Sequence, residues 1–179
     1  MKKATFSILS FLYFTVFAVG QAKPVFNIKD ITYSFDRKDA LSNKIDGTVC
    51  YIFCYAGTKS GWNSKTQKNY PEQDKIVYSK IFRLTNLPIP QIYRAIEGGK
   101  VCDKLSTMFL EDLIKTAGFN EENNYSSWVG DYDLAYVEKE IAERMAREKR
   151  FNEQTKFVYN SKFSFNYSDP YYKTIYKAD

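Results

Sequence analysis

The stretch GTVCYIFCYAG, residues 47–57, is typical of a central strand in a buried sheet. The residues between its two glycines are mostly aromatic or β-branched, the types that suit a pleated, buried strand. The stretch also holds two of the three cysteines, Cys50 and Cys54, in a chain of 179 residues that contains no histidine. The role of these thiols therefore bears on both the fold and the activity.

A structural role fits the cysteines best. Cys50 and Cys54 share one face of the strand but lie about 13 Å apart, whereas a disulfide requires Cα atoms within about 7 Å. Three cysteines without histidine do not complete a zinc site, they lack Cys-x-x-Cys spacing, and a cysteine nucleophile would lack its usual base. We expect no metal site and one disulfide that joins Cys102 to Cys54 or Cys50. Cys54 is preferred because it lies at the end of the strand.

The N-terminus predicts export. Two lysines precede an uncharged, largely apolar stretch at residues 6–19, and Gly20 and Ala22 provide small residues at cleavage spacing. As a helix this stretch would be about 21 Å long, short of the ~30 Å needed to cross a bilayer, so a signal peptide (1–22) is favoured over an uncleaved anchor. We expect the mature chain, residues 23–179, to be periplasmic or extracellular, bacterial and without a transmembrane segment.

The mature chain has the size and charge of an ordinary globular domain. Its 157 residues are enough for one hydrophobic core, and we find no repeat or linker that would divide it. After loss of the two leading lysines, 24 basic residues face 21 acidic ones. A formal charge of +3 is too small to indicate nucleic-acid binding.

Hydrophobic patterning predicts an α+β fold with an antiparallel sheet of about four strands. Residues 25–35 read as a strand with a bulge or a phase change, and residues 75–84 as a second strand of the meander. The aromatic residues that alternate through 157–167 indicate a long strand or a hairpin. In the strand at 75–84 we expect one face to carry every member of the set Ile76, Tyr78, Phe82 and Leu84.

Two substantial helices are expected to pack on this sheet. One covers residues 103–117 and ends at Gly118, a usual left-handed cap, and the longest covers residues 132–152 with an apolar stripe. A separate short helix is expected from Pro90 to Gly98. The segment between the two long helices, which contains Trp128, reads as a loop.

No strong catalytic constellation is present. A chain without histidine cannot use Ser-His-Asp or Cys-His catalysis, and most zinc hydrolysis is excluded as well. Paired carboxylates would still suffice for a small glycan hydrolase, with Glu111, Asp131 and Asp133 as candidates. The two aspartates precede the longest helix, where capping of free N–H groups is their more common role. The wider set of acidic candidates adds Asp112, Glu121 and Glu122.

Aromatic and basic side chains in polar segments favour a binding role. Trp62, Trp128, Lys59 and Lys65 are candidate ligand-binding residues, although partial burial explains the tryptophans equally well. We expect an exported binding protein without catalytic activity or cofactor: an inhibitor, an immunity factor or a glycan or surface binder. Its partner would be a protein or a glycan. The alternative is a small carboxylate-dependent glycan hydrolase.

Overall fold

A computed structural model describes residues 26–42, 49–71, 74–85, 94–170 and 173–178. The expected signal peptide and the expected helix start at Pro90 lie outside these residues. Within them the chain forms a mixed α and β structure around a four-stranded sheet. None of the helices in the described ranges is long and apolar enough to cross a membrane.

The elements follow one another in a β-rich first half and a mixed second half. In chain order they are a 3₁₀ turn (Ile28–Asp30), α1 (Arg37–Leu41), β1 (Cys50–Thr58), β2 (Trp62–Asn63), β3 (Lys68–Asn69), β4 (Lys75–Leu84), α2 (Arg94–Thr116), β5 (Asn124–Asp131), α3 (Leu134–Phe151), β6 (Lys156–Tyr159), β7 (Asn166–Asp169) and β8 (Thr174–Lys177). The main sheet has the order β5-β1-β4-β6, while β2–β3 and β7–β8 form two separate two-stranded sheets.

The main sheet is mixed rather than purely antiparallel, which corrects the expectation from the sequence. β1 pairs antiparallel with both β4 and β5, but β6 runs parallel to β4. Parallel neighbours require a long crossover connection instead of a tight turn. Here α2, β5 and α3 together provide that connection, because all three lie between β4 and β6 in the chain.

The sheet is covered on both faces, which explains why nearly every residue of β1 is buried. One face packs on α2 and the other on α3, and each interface has its own hydrophobic cluster. The α2 side includes Ile52, Phe82, Leu105, Phe109 and Leu113. The α3 side includes Phe53, Ile81 and the expected apolar stripe, which is confirmed as Leu134, Val137, Ile141 and Met145.

A bulge in β4 makes the expected single apolar face of that strand wrong. Phe53 of β1 pairs with Ile81, but Tyr55 pairs with Tyr78, so two β4 residues lie opposite the one β1 residue between them. Because side chains alternate along a strand, the extra residue exchanges the two faces. Ile76 and Tyr78 accordingly pack on the α3 side, whereas Phe82 and Leu84 pack on the α2 side.

Two further segments differ from the sequence-based expectation. Residues 25–35 were expected to form a strand, but the described part holds a 3₁₀ turn and a single parallel bridge from Tyr33 to Ile81. The segment expected to be a loop forms β5, which pairs with β1 along all eight of its residues. Pairing with a fully buried neighbour outweighs the weak intrinsic strand preference of its serine and asparagine residues.

The helix expected to begin at Pro90 does not end at Gly98. Instead α2 runs without interruption from Arg94 to Thr116. Its C-terminal end is as expected, because Gly118 has a φ of 71° and the N–H of Phe119 bonds to the carbonyl of Leu113 at 3.3 Å.

Candidate functional site

The connection from β1 to β4 forms a small, ordered hairpin. Trp62 of β2 pairs with Asn69 of β3, and the N–H of Tyr70 donates to the carbonyl of Gly61 at 2.9 Å. Gly61 has a φ of 86°, a conformation that glycine adopts without steric cost. We call residues 59–70 the basic hairpin, because they contain three lysines and no carboxylate.

The side chain of Asn63 closes the tip of the basic hairpin. It is buried, and its Oδ1 accepts hydrogen bonds from the backbone N–H groups of Lys65 at 3.0 Å and Thr66 at 3.3 Å. An asparagine that bonds to the backbone two or three residues ahead holds a turn in one conformation. The tip is therefore fixed by internal hydrogen bonds.

Lys59 attaches the base of the basic hairpin to the loop before β5. Its ammonium group donates to the carbonyl oxygens of Glu121 and Glu122, and its own N–H bonds to the carbonyl of Asn123 at 2.8 Å. These bonds occupy two of the three donors of the ammonium group. Lys59 therefore holds the site in place and has only one N–H left for a ligand.

A polar concavity of about 500 Å³ lies between the basic hairpin and this loop. It is lined by Lys59, Asn63, Ser64, Lys65, Tyr70, Glu121 and Glu122. Lys65 is exposed there, whereas the ammonium group of Lys59 is bonded to the loop. The sequence did not identify Asn63 and Tyr70 as site residues, because an asparagine and a tyrosine in a polar segment give no distinct signal.

Trp62 is the exposed aromatic residue of the basic hairpin. Its side chain is 63% exposed, and because successive strand residues alternate, it lies on the opposite face from Asn63. Trp62 is therefore beside the polar concavity and is not part of its lining. Lys59, Trp62 and Lys65 thus lie on one hairpin, but Lys59 and Lys65 line the concavity and Trp62 does not.

Trp128 lies elsewhere and has a different environment. It sits on β5 opposite Cys54, is partly buried against the α2 side of the core, and donates its indole N–H to Asp103 at 2.6 Å. Its predicted location in a polar loop is wrong, because that segment is a strand. These contacts account for Trp128 as an anchor between β5 and α2.

The two candidate aspartates bond to backbone N–H groups where the chain enters α3. The carboxylate of Asp133 accepts a hydrogen bond from the N–H of Ala135 at 2.9 Å and caps α3. Asp131 in turn accepts from the N–H of Asp133 at 2.9 Å. Both side chains thus satisfy backbone donors at the start of α3.

Glu111 does not share a cleft with Asp131. The Trp128–Asp103 contact and a 3.0 Å hydrogen bond between Ser106 and Ser126 show that α2 runs antiparallel to β5. From Ser126, Asp131 is about 16 Å along the strand, and Glu111 is about 7.5 Å in the other direction along the helix. This separation exceeds the 5 to 9.5 Å that glycosidase carboxyl pairs require.

The other acidic candidates have partners or neighbours of their own. Asp112 accepts a hydrogen bond from the side-chain amide of Asn160 at 3.0 Å. Glu121 and Glu122 do line the polar concavity, but they are adjacent in the chain and exposed. In the described part of the chain, no group of three potential metal ligands comes together.

The three cysteines are free thiols in the structure and all are buried. The expected Cys54–Cys102 bond is not formed. The neighbouring Cys50 side chain and burial raise the pKa of Cys102, and burial alone raises the pKa of Cys54. Burial keeps all three thiols from external reactants, and the raised pKa values of Cys54 and Cys102 further reduce their reactivity in the folded protein.

Comparison with known families, with curated proteins and with solved structures finds no match for this chain. Its function must therefore be argued from its own residues.

Proposed function

We propose that this protein is an exported binding protein that recognises a protein or glycan partner through the basic hairpin. The observation that carries the proposal is Trp62, a large aromatic side chain that stays 63% exposed on an ordered hairpin. Tryptophan is enriched among the residues that dominate binding energy at interfaces, because it offers a large, rigid contact area. Covering its ring would remove apolar surface from water.

The charge of the basic hairpin indicates the chemistry of the partner. The basic hairpin carries Lys59, Lys65 and Lys68 without a carboxylate, and Lys65 and Lys68 are exposed. A partner with an apolar or sugar-ring surface next to anionic groups would complement this arrangement. Such binding should weaken as ionic strength rises, since exposed charges are screened over about 8 Å at physiological salt.

The alternative, a small glycan hydrolase, has less support from the described residues. Asp133 caps α3, Asp131 accepts a hydrogen bond from the N–H of that cap residue, and Glu111 lies far along α2. The carboxylates nearest the basic hairpin, Glu121 and Glu122, are neighbours in one loop rather than groups from opposite sides of a cleft. A binding role would use the exposed Trp62, Lys65 and Lys68 of the basic hairpin.

The proposal predicts that binding depends on Trp62. Immobilised protein is incubated with an envelope extract, with the culture medium and with cell-wall polysaccharide from the host. We expect Trp62→Ala to reduce capture of the bound partner about tenfold or more, as for a central interface residue. Tyr136→Ala is the matched control, because Tyr136 is 48% exposed on α3, away from the hairpin. Equal capture by wild-type protein and Trp62→Ala would contradict the proposal.

Export is tested separately. Mass analysis of protein isolated from its native host should give an N-terminus at Lys23, as expected for cleavage after Ala22. The protein should be recovered from the periplasm or the medium. An intact Met1 in the cytoplasmic fraction would contradict export without bearing on the role of Trp62.

A further inference from the structure

The strand β5 forms one edge of the main sheet. Within the described part of the chain it pairs only with β1, and no strand lies beyond it. All eight of its residues pair with β1 in one uninterrupted register. β5 is therefore a long and regular edge, of the kind that can accept a further strand.

The direction of the backbone groups of β5 follows from one hydrogen bond at the end of the strand. The N–H of Lys59 donates to the carbonyl of Asn123 at 2.8 Å, and these two residues continue the register that joins β1 to β5. In an antiparallel pair, residues that exchange hydrogen bonds alternate with residues that do not. The odd-numbered residues of β5 thus bond to β1, and the even-numbered residues point their N–H and C=O groups away from it.

Three successive even-numbered residues have backbone groups available to a further strand. The N–H and C=O groups of Ser126, Trp128 and Gly130 have no hydrogen-bond partner among the described residues, and all three residues are partly exposed. Asn124 ends the series, since its N–H bonds to the carbonyl of Asn120 at 3.0 Å. The side chains of Ser126 and Trp128 are bonded to α2, which holds this edge in position.

The β5 edge lacks the features that normally block strand pairing. Natural edge strands are commonly short, bulged or interrupted by charged residues or proline. From Asn124 to Gly130, β5 has no charged residue and no proline, and its pairing with β1 has no bulge. The opposite edge, β6, has only four residues and begins at the exposed Lys156. Coverage by another strand would account for the uncharged composition of β5.

The free groups of β5 are complementary to those of a second copy. When two such strands run antiparallel with Trp128 opposite Trp128, Ser126 of each copy lies opposite Gly130 of the other. Each of these pairs exchanges two N–H···O bonds, so every free group of the three residues is used. Residues that lie opposite each other project to the same face, so α2 of both copies lies on one side of the joined sheet. Two-fold arrangements of this kind are the commonest among homo-oligomers.

We propose that this protein forms a symmetric dimer in which β5 of one copy pairs antiparallel with β5 of a second copy. The two main sheets become one continuous sheet across the two-fold axis. The basic hairpin of each copy is bonded to the loop before β5, so the two hairpins lie towards opposite ends of the paired strands. The dimer does not depend on what the hairpins bind.

The mass of the purified protein in solution tests the dimer. In sedimentation experiments from low to high micromolar concentration, we expect the mass of two chains to replace that of one. Amide hydrogen exchange at Ser126, Trp128 and Gly130 should be slow in the dimer and faster on dilution. A monomer at every concentration would overturn the proposal, even if an envelope extract slowed exchange at these amides. A dimer in which the three amides exchange as fast as in the monomer would also overturn it.

Ser126→Pro tests the role of one outward N–H. The substitution removes this donor at a position where edge strands accept proline, because the N–H does not bond to β1. Ser126→Ala is the matched control, since both variants lose the hydroxyl bond to Ser106. We expect Ser126→Pro to raise the dissociation constant of the dimer about tenfold or more and Ser126→Ala to change it much less. Equal dissociation constants for the two variants would contradict pairing through β5.

Ser127→Lys gives an independent readout that keeps every backbone donor of β5. The backbone of Ser127 bonds to β1, and a lysine at this position adds a charge beside the edge, a common means of blocking strand pairing. Ser164→Lys is the control, because Ser164 is exposed and lies outside the main sheet. We expect Ser127→Lys to be a folded monomer and Ser164→Lys to remain a dimer. A Ser127→Lys variant that dimerises as tightly as wild type would overturn the proposal.

Discussion

Glu138 shows how single side chains fasten the N-terminal segment to α3. Its carboxylate accepts hydrogen bonds from the hydroxyl of Tyr33 and from Arg37, at 2.8 Å from Nε and 3.0 Å from Nη2. Burial, and then the bond to Glu138, raises the pKa of Tyr33 to about 12. Burial also acts to raise the pKa of Glu138, but the bonds from Arg37 and Tyr33 outweigh it and lower this pKa below its ordinary value.

Glu138→Gln should therefore destabilise the protein in a pH-dependent manner. A carboxyl group whose pKa is lowered by folding stabilises the folded state at pH values above its ordinary pKa of 4.5. This contribution is lost as the pH falls through the pKa of the folded state. We expect the free energy of unfolding to fall by about 1.5–3 kcal/mol at pH 7, the range for hydrogen bonds to a charged group. The difference in the free energy of unfolding between wild type and Glu138→Gln should become smaller towards pH 3. Urea unfolding at both pH values measures it.

Glu143→Gln is the control for this prediction. Glu143 is on the same helix, with a 3.9 Å contact to Lys139 and both side chains largely exposed. Such pairs contribute little, so the change should be below about 0.5 kcal/mol at either pH. A loss in Glu138→Gln that is the same at pH 3 and pH 7 would contradict the role assigned to the ionised carboxylate.

Among the elements, β4 owes its two-sided packing to the bulge at Ser79 and Lys80. Ser79 is fully buried, and its hydroxyl accepts a hydrogen bond from the N–H of Cys54 at 3.0 Å. The same hydroxyl donates to the carbonyl of Lys80 at 2.7 Å. A side chain thus replaces the backbone partner that Cys54 loses where the ladder is interrupted.

Ser79→Ala should lower the free energy of unfolding by about 1–3 kcal/mol, because the buried N–H of Cys54 would lose its partner. Denaturant unfolding measures the change, and amide hydrogen exchange of Cys54 should become faster. Ser164→Ala serves as the control, since Ser164 is exposed. A neutral Ser79→Ala with unchanged exchange at Cys54 would show that the hydroxyl does not support the bulge.

This bulge also shows where sequence patterning reaches its limit. The central strand and the apolar stripe of α3 could be predicted, because residue type and the spacing of apolar residues indicate their burial. The face exchange in β4 could not, because Ser79 gives no local signal of a bulge. β5 was missed for a related reason: its strand conformation depends on pairing with β1, a contact distant in the chain.

The C-terminal aromatic residues are a second case in which local sequence pattern did not predict the structure. Their alternation predicted one strand or a hairpin, but β6 ends at Tyr159 and the chain then turns. The side chain of Asn160 accepts hydrogen bonds from the N–H groups of Lys162 and Phe163 in that turn, both at 3.1 Å. Phe157 therefore packs on the α3 side and Phe163 on the α2 side.

At the candidate site, residue types indicated candidate binding residues, but sequence position did not indicate which of them are exposed. Trp62 and Lys65 stood out because an aromatic and a basic residue occur in a polar segment. The same reasoning selected Trp128, which the structure holds between β5 and α2. Only the register of β5 on β1 distinguishes the two tryptophans, and that register depends on the whole sheet.

At the scale of the whole molecule, the buried core and the exposed candidate binding residues lie in different elements. The sheet and its two covering helices contain the apolar clusters and the cysteines, while the basic hairpin inserted between β1 and β4 presents Trp62 to solvent. Binding residues carried on a connection that a rigid scaffold holds in place are common in proteins. Recognition by this hairpin would leave the core unchanged.

The chain has two tryptophans, so replacing one isolates the fluorescence of the other. In a Trp128→Phe variant the emission should come from Trp62 alone, lie at the wavelength of a hydrated indole and be quenched readily by acrylamide. Adding the partner captured by wild-type protein should shift this emission to shorter wavelength and strongly reduce the quenching, because the interface covers the ring. Binding that leaves Trp62 as hydrated and as readily quenched as in the free protein would contradict the account.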